Sequence, residues 1–206
     1  MGPGRLHALI DGIFAIAITL LVLDLPKPAA SAHITTDLLH QWPSYAAYLV
    51  SFVTLGIVWI EHHGMMSAAR HINRRFLERN LAFLLVVSVM PWPTSLAATY
   101  ARRGAQATPT AVLYGATMLC MGLAFAWSWR YLRDHPELVV AAAPASAFEA
   151  GFRRALLGSV AYLVAIGVAF GSAMGSYAID AAVAIYFAAS SSAVPGLVAA
   201  SSSDAE

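Results

Sequence analysis

An all-α membrane protein with six transmembrane helices is the fold class this sequence predicts, and two observations predict it. Of 206 residues, 59% are hydrophobic and only 11% are Asp, Glu, Lys or Arg. That is less than half the ~25% charge of an average soluble domain, too little to cover a water-facing surface. The apolar residues also gather into long runs, and the mean hydropathy is +0.67. Together these exclude a soluble enzyme and a disordered regulator. The net charge of +1 offers no basic stripe for nucleic acid. The single cysteine, Cys120, excludes a disulfide framework and a Cys-based zinc site.

A spanning helix needs ~20 mostly apolar residues to cross ~30 Å of hydrocarbon. Six stretches of one unit (1–200) approach this: 6–25, 43–60, 81–100, 110–129, 152–173 and 177–198, followed by a polar tail, 201–206. The first ends at Pro26-Lys27-Pro28, because a residue preceding proline is pushed out of the helical region. Its outline of Arg5, an apolar run and Ala30-Ser31-Ala32 also fits a cleaved signal peptide, but Asp11 interrupts the run and its length favours a retained span. Pro91 and Pro93 are expected to kink the third span. An alanine-rich linker, 141–147, precedes the fifth. Gly175-Ser176 is expected to turn the chain between the fifth and sixth, whose apolar core runs into Ser190-Ser191-Ser192. Gly167 and Gly171 form a Gly-x-x-x-Gly pattern suited to close helix packing.

The positive-inside rule orients the chain. With the N-terminus inside, inner segments hold Arg5, Arg70, Arg74, Arg75, Arg79, Arg130, Arg133, Arg153 and Arg154, and outer loops hold Lys27, Arg102 and Arg103. Nine against three places both termini in the cytoplasm.

The sequence has no Gly-rich phosphate loop, no G-x-S-x-G elbow and no H-E-x-x-H. Glu61-His62-His63 with His71 suggests metal ligation only superficially. Residues 62 and 63 point to different helical faces, and a cluster at the inner end of span two is the simpler expectation. Asp24 and Asp180 are expected at solvated helix ends. Asp11 lies deeper, where charge is costly and needs partners. On a helical wheel centred on Ile16, Leu9, Gly12, Leu20 and Leu23 fall within ~40° and Thr19 within ~60°, while Asp11 lies ~140° away. Span one therefore carries an apolar stripe with Thr19 as its central polar side chain. Such a stripe suits a pore, but lipid-facing or packing surface has the same appearance.

The segment from Arg5 to Asp24 resembles the first span of the transmembrane-protein-175 potassium channels. The signature there is Arg, three residues, then Phe-Ser-Asp. This chain keeps Arg5 and Asp11 at that spacing, with Leu9 and Ile10 replacing Phe and Ser. Trp59 followed by His62-His63, and Asn80 followed by Pro91, match further. The resemblance implies a homotetramer in a lipid bilayer whose pore is lined by four copies of span one, with no re-entrant filter loop. The absence of a Thr-Val-Gly-Tyr-Gly stretch agrees. It implies a pore constriction at Ile16, Leu20 and Leu23, a selectivity residue at Thr19, and a structural polar network of Arg5, Asp11, Trp59, His63 and Asn80. Asp24 would stand at the pore mouth.

The resulting expectation is a potassium-selective cation channel of the prokaryotic plasma membrane. It is a multi-pass protein with no enzymatic activity, no metal site, no cofactor beyond permeant K+ and no nucleic-acid partner. A proton-coupled secondary transporter using Asp11 and His63, and a non-transporting membrane scaffold, are the alternatives.

Overall fold

The computed structural model describes residues 3–28, 33–141 and 143–190. Its helices are α1 (Pro3–Leu20), α2 (Ile34–His40), α3 (Trp42–Ser67), α4 (Arg74–Val89), α5 (Pro91–Tyr100), α6 (Ala107–Asp134), α7 (Ala145–Ala169) and α8 (Ala173–Ser190). Six segments are long and apolar enough to cross a membrane: Gly4–Asp24, Trp42–Ser67, Arg74–Tyr100, Gly104–Asp134, Ala145–Ala169 and Ala173–Ser190. The six expected spans are therefore present, and most extend past the apolar stretch that marked them. Residues 191–206, with the end of the expected sixth span and the polar tail, lie outside the described residues, as does the Ala30-Ser31-Ala32 segment.

Local chemistry explains the boundaries. α3 begins with Pro43 in its first turn, where a missing N–H costs nothing. Asn73 caps α4: its Oδ1 accepts from the Phe76 N–H at 2.8 Å, and its Nδ2 donates to the Tyr131 hydroxyl of α6 at 2.8 Å. The third span is two helices, α4 and α5, broken at Met90 where Pro91 withholds its N–H. The turn before α8 is not at Gly175-Ser176. It closes at Phe170–Ser172, because the Ser172 hydroxyl accepts from the Gly175 N–H at 3.0 Å and caps α8, which absorbs Gly175 and Ser176 into its first turn.

α6 is the central helix. It packs along α7 over the longest helix pair in the molecule and also meets α4, α5 and α8, while α1 lies against α3, α4 and α5 on the opposite side. Small residues set the α6–α7 approach. A Cβ added at Gly115 would lie 2.8 Å from Ile166, one at Gly122 2.6 Å from the Ser159 hydroxyl, and one at Gly151 2.6 Å from the Trp129 ring. The Gly167–Gly171 pattern does not take this role: a Cβ at Gly167 meets nothing within 4 Å. Spacing on one helix identified small residues, but which face met a neighbour was decided by the partner.

The loop after α3 is joined to the loop after α6 by main chain. Arg70 and His71 donate their N–H groups to the Leu138 carbonyl at 2.8 and 3.1 Å, and Val140 donates to Ala68 at 3.0 Å, forming the isolated bridge between Ala69 and Val139.

Candidate permeation face and its supporting network

α1 is apolar nearly all round, yet only one of its faces is packed. Leu6, Ile10, Phe14, Ala17 and Leu21 are buried, at helical spacings of three and four. Phe14 is the anchor, its ring 6.1 Å from Phe83 and 6.2 Å from His62. The other side carries the expected constriction residues. Ile16 is 61% exposed and Leu23 73% exposed, and Leu9, Thr19 and Leu20 are exposed with them. The last turn, Leu21–Asp24, tightens into a 3-10 helix. Side chains three apart eclipse in that winding, so Leu23 turns toward the line of Leu20, instead of lagging ~60° as in an α-helix. Asp24 is exposed at the end of this turn.

Thr19 bonds back to its own helix. Its hydroxyl donates toward the Ala15 and Ile16 carbonyls, at 2.8 and 3.0 Å. This commits the single hydroxyl proton to the backbone. What the exposed oxygen can still offer is lone pairs, the capacity a cation uses.

The five residues expected to form one polar network do not all meet. The Trp59 indole N–H donates to Asp11 Oδ1 at 2.9 Å, tying α1 to α3. Arg5 is exposed and has no ion pair with Asp11 among the described residues. Asn80 does not meet His63. Its partner is His62, fully buried, with Nε2 at 2.9 Å from Asn80 Oδ1. Asn80 Nδ2 donates to the Phe76 carbonyl at 2.8 Å, so Oδ1 is the acceptor and the His62 proton is assigned to Nε2. The His62 ring stacks on Phe83, centroids 4.8 Å apart and planes 7° apart. His63 is exposed, with its ring 5.9 Å from Trp59 and 6.3 Å from His7.

The reason is the pitch of α3. Successive residues turn ~100°, so three neighbours in sequence face three neighbours in space. Glu61 pairs with Arg154 of α7 at 3.1 Å, His62 enters the core, and His63 remains beside Trp59 and His7. His71 is exposed on the following loop. The signal that would have found His62 is its i,i+3 relation to Trp59, which places the two on adjoining faces toward α1.

Asp180 also departs from expectation. It is only 2% exposed, and neither carboxylate oxygen has a hydrogen-bond partner. About two turns of helix separate it from the α8 start, and α3, α6 and α7 pack against α8.

A bundle of six helices long and apolar enough to cross a membrane, with the first tied to the next span through Asp11 and Trp59, defines a multi-pass membrane protein. The family described as endosomal/lysosomal potassium channel TMEM175 matches residues 5–91. A potassium channel of Streptomyces collinus is 39% identical over 194 residues, covering 93% of this chain and 94% of that protein. One of Chamaesiphon minutus is 34% identical, covering 92% and 95%. The crystal structure of a lysosomal potassium-selective channel TMEM175 homolog from Chamaesiphon minutus superposes with a TM-score of 0.83 at 32% identity, over 93% of this chain and 98% of that one. The chain belongs to the TMEM175 potassium channel family, a family of ion channels and not of enzymes.

Proposed function

We propose that the protein is a potassium-selective channel of the cell membrane, with both termini cytoplasmic, in which four subunits turn the exposed face of α1 toward a common axis. The observation that carries this is the uncovered stripe of Ile16, Thr19, Leu20 and Leu23 on a helix whose opposite face is fully packed. In this reading Ile16, Leu20 and Leu23 form an apolar ring that must be wetted or widened for a cation to pass, so gate and barrier coincide. Four Thr19 oxygens, their protons held by the backbone, supply ligands beside the ring. Four Asp24 carboxylates at the outer mouth raise the local cation concentration. Asp11 and Trp59 hold the helix in rotation, so the stripe keeps its aim. The family to which the chain belongs supports the ion.

Single-channel recording in planar bilayers tests it. Discrete current steps with a reversal potential near that of potassium are expected under potassium/sodium gradients. Slow coupled flux without steps means a carrier, and silence from intact protein means a scaffold; either overturns the reading.

A further inference from the structure

A cavity of about 210 Å³ lies between α3, α5, α6 and α8, at the end of the bundle where α3, α6 and α8 begin. Its walls are almost wholly apolar: Ala46 and Ala47 of α3, Ala178 and Ala181 of α8, and the rings of Trp42, Tyr114 and Tyr177. The exception is the Asp180 carboxylate, 98% enclosed because only 2% of the residue is exposed, with both oxygens unbonded.

The two phenols do not relieve it, as proton counting shows. Thr94 Oγ1 donates to the Met90 carbonyl at 2.9 Å, so Ser51 must donate to Thr94 at 2.9 Å, and the Tyr114 hydroxyl must donate to Ser51 at 3.1 Å. Likewise Thr110 donates to Ala107 at 2.9 Å, which leaves the Tyr177 hydroxyl to donate to Thr110 at 3.0 Å. Both phenolic protons are therefore committed away from Asp180. The cavity has an acceptor with two oxygens, neither of them hydrogen-bonded, and aromatic faces.

We propose that this cavity is a binding site for a small primary ammonium ion with an apolar body, held by Asp180. Three N–H donors on the ammonium supply what the carboxylate lacks, through charge-assisted hydrogen bonds. Aromatic faces favour a cation beside them, and the alanine walls accept the hydrocarbon part. A bare alkali ion is served poorly, because it needs a shell of oxygens and these walls are methyl groups and rings. The size fits: a cavity of ~150 Å³ accommodates benzene, so this one takes a single ring with a short aminoalkyl arm. The site stands apart from the α1 stripe and does not depend on which helix lines the pore.

The test uses the purified full-length protein and 4-fluorobenzylammonium, followed by fluorine NMR line broadening, with 4-fluorobenzyl alcohol as the uncharged counterpart. Saturable binding of the ammonium is expected, at least tenfold tighter than the alcohol. Asp180→Asn should weaken the ammonium at least tenfold and leave the alcohol unchanged. Ala47→Phe, which retains the acid but fills the cavity, should abolish binding of both, and decides the matter if Asp180→Asn does not fold. Equal affinity for ammonium and alcohol in wild type, as an acid that keeps its proton would give, overturns the proposal. So does ammonium binding that persists in Ala47→Phe, which would locate the ligand elsewhere, as in the pore.

Discussion

The two faces of α1 are made of the same kinds of residue and meet opposite fates. Leu6, Ile10, Phe14, Ala17 and Leu21 are sealed against α3, α4 and α5. Leu9, Ile16, Leu20 and Leu23, offset by about half a turn, lie open. In water such an asymmetry would be visible as polarity, since one face would be hydrophilic. In a membrane both faces can be apolar, because lipid, a neighbouring subunit and a dewetted pore all accept hydrocarbon. What distinguishes them here is bulk and shape. The packed face carries the one large ring, Phe14, which interlocks with Phe83 and His62. The open face carries branched aliphatics and one hydroxyl. Burial is thus decided by complementarity, and the contrast is testable one residue at a time.

Phe14→Ala should give the largest effect. It removes the interlocking ring from a packed site, and a truncation of this size costs about 3 kcal/mol or more. Thermal unfolding of the purified protein should show a marked drop in midpoint; an unchanged midpoint means that the packed face is not anchored there. Ile16→Asn, on the open face, should reverse the pattern. Stability stays near wild type while single-channel conductance rises several-fold and potassium preference weakens, because a polar ring wets more easily. If conductance and selectivity are both unaltered, Ile16 does not line the pore. Thr19→Val keeps the shape and deletes the oxygen. Reversal potentials under potassium/sodium gradients should shift toward non-selectivity, with potassium current falling more than sodium current; identical reversal potentials leave selectivity to pore width. The smallest effect belongs to Asp11→Ala. Its indole contact is a single, exposed hydrogen bond rather than a buried ion pair, so about 1 kcal/mol is at stake. A loss as large as that of Phe14→Ala would show that Asp11 has buried partners in the assembled channel.

The span count and the break at Pro91 were legible because length, hydropathy and proline geometry are properties of the chain itself. So was the stripe of Ile16, Leu20 and Leu23, which follows from the pitch of one helix. Relations between helices were less accessible. Choosing His62 rather than His63 as the partner of Asn80 requires knowing where α4 lies relative to α3. The close packing of Gly115, Gly122 and Gly151 depends on Ile166, Ser159 and Trp129, none of which is near them in sequence. Asp180 shows the same limit from the other side. Its distance from the helix end suggested water, but the depth of a residue is set by the neighbours that cover it. The turn before α8 was misplaced for a local reason: glycine marks where a turn is permitted, whereas the Ser172 cap decides where the helix begins.

The main-chain clasp between 68–71 and 138–140 has a different consequence. Its bonds run between peptide groups, from Arg70, His71 and Val140 to Leu138 and Ala68. The exposed side chains of Arg70 and His71 can vary without loosening it, so the loop joining α3 to α4 stays fastened to the loop joining α6 to α7 under substitutions there that would dissolve a salt bridge. Proline is the exception, since only proline removes the donor. The seam is therefore written in the backbone, and it fastens the end of α3 to the end of α6 whatever Arg70 and His71 carry.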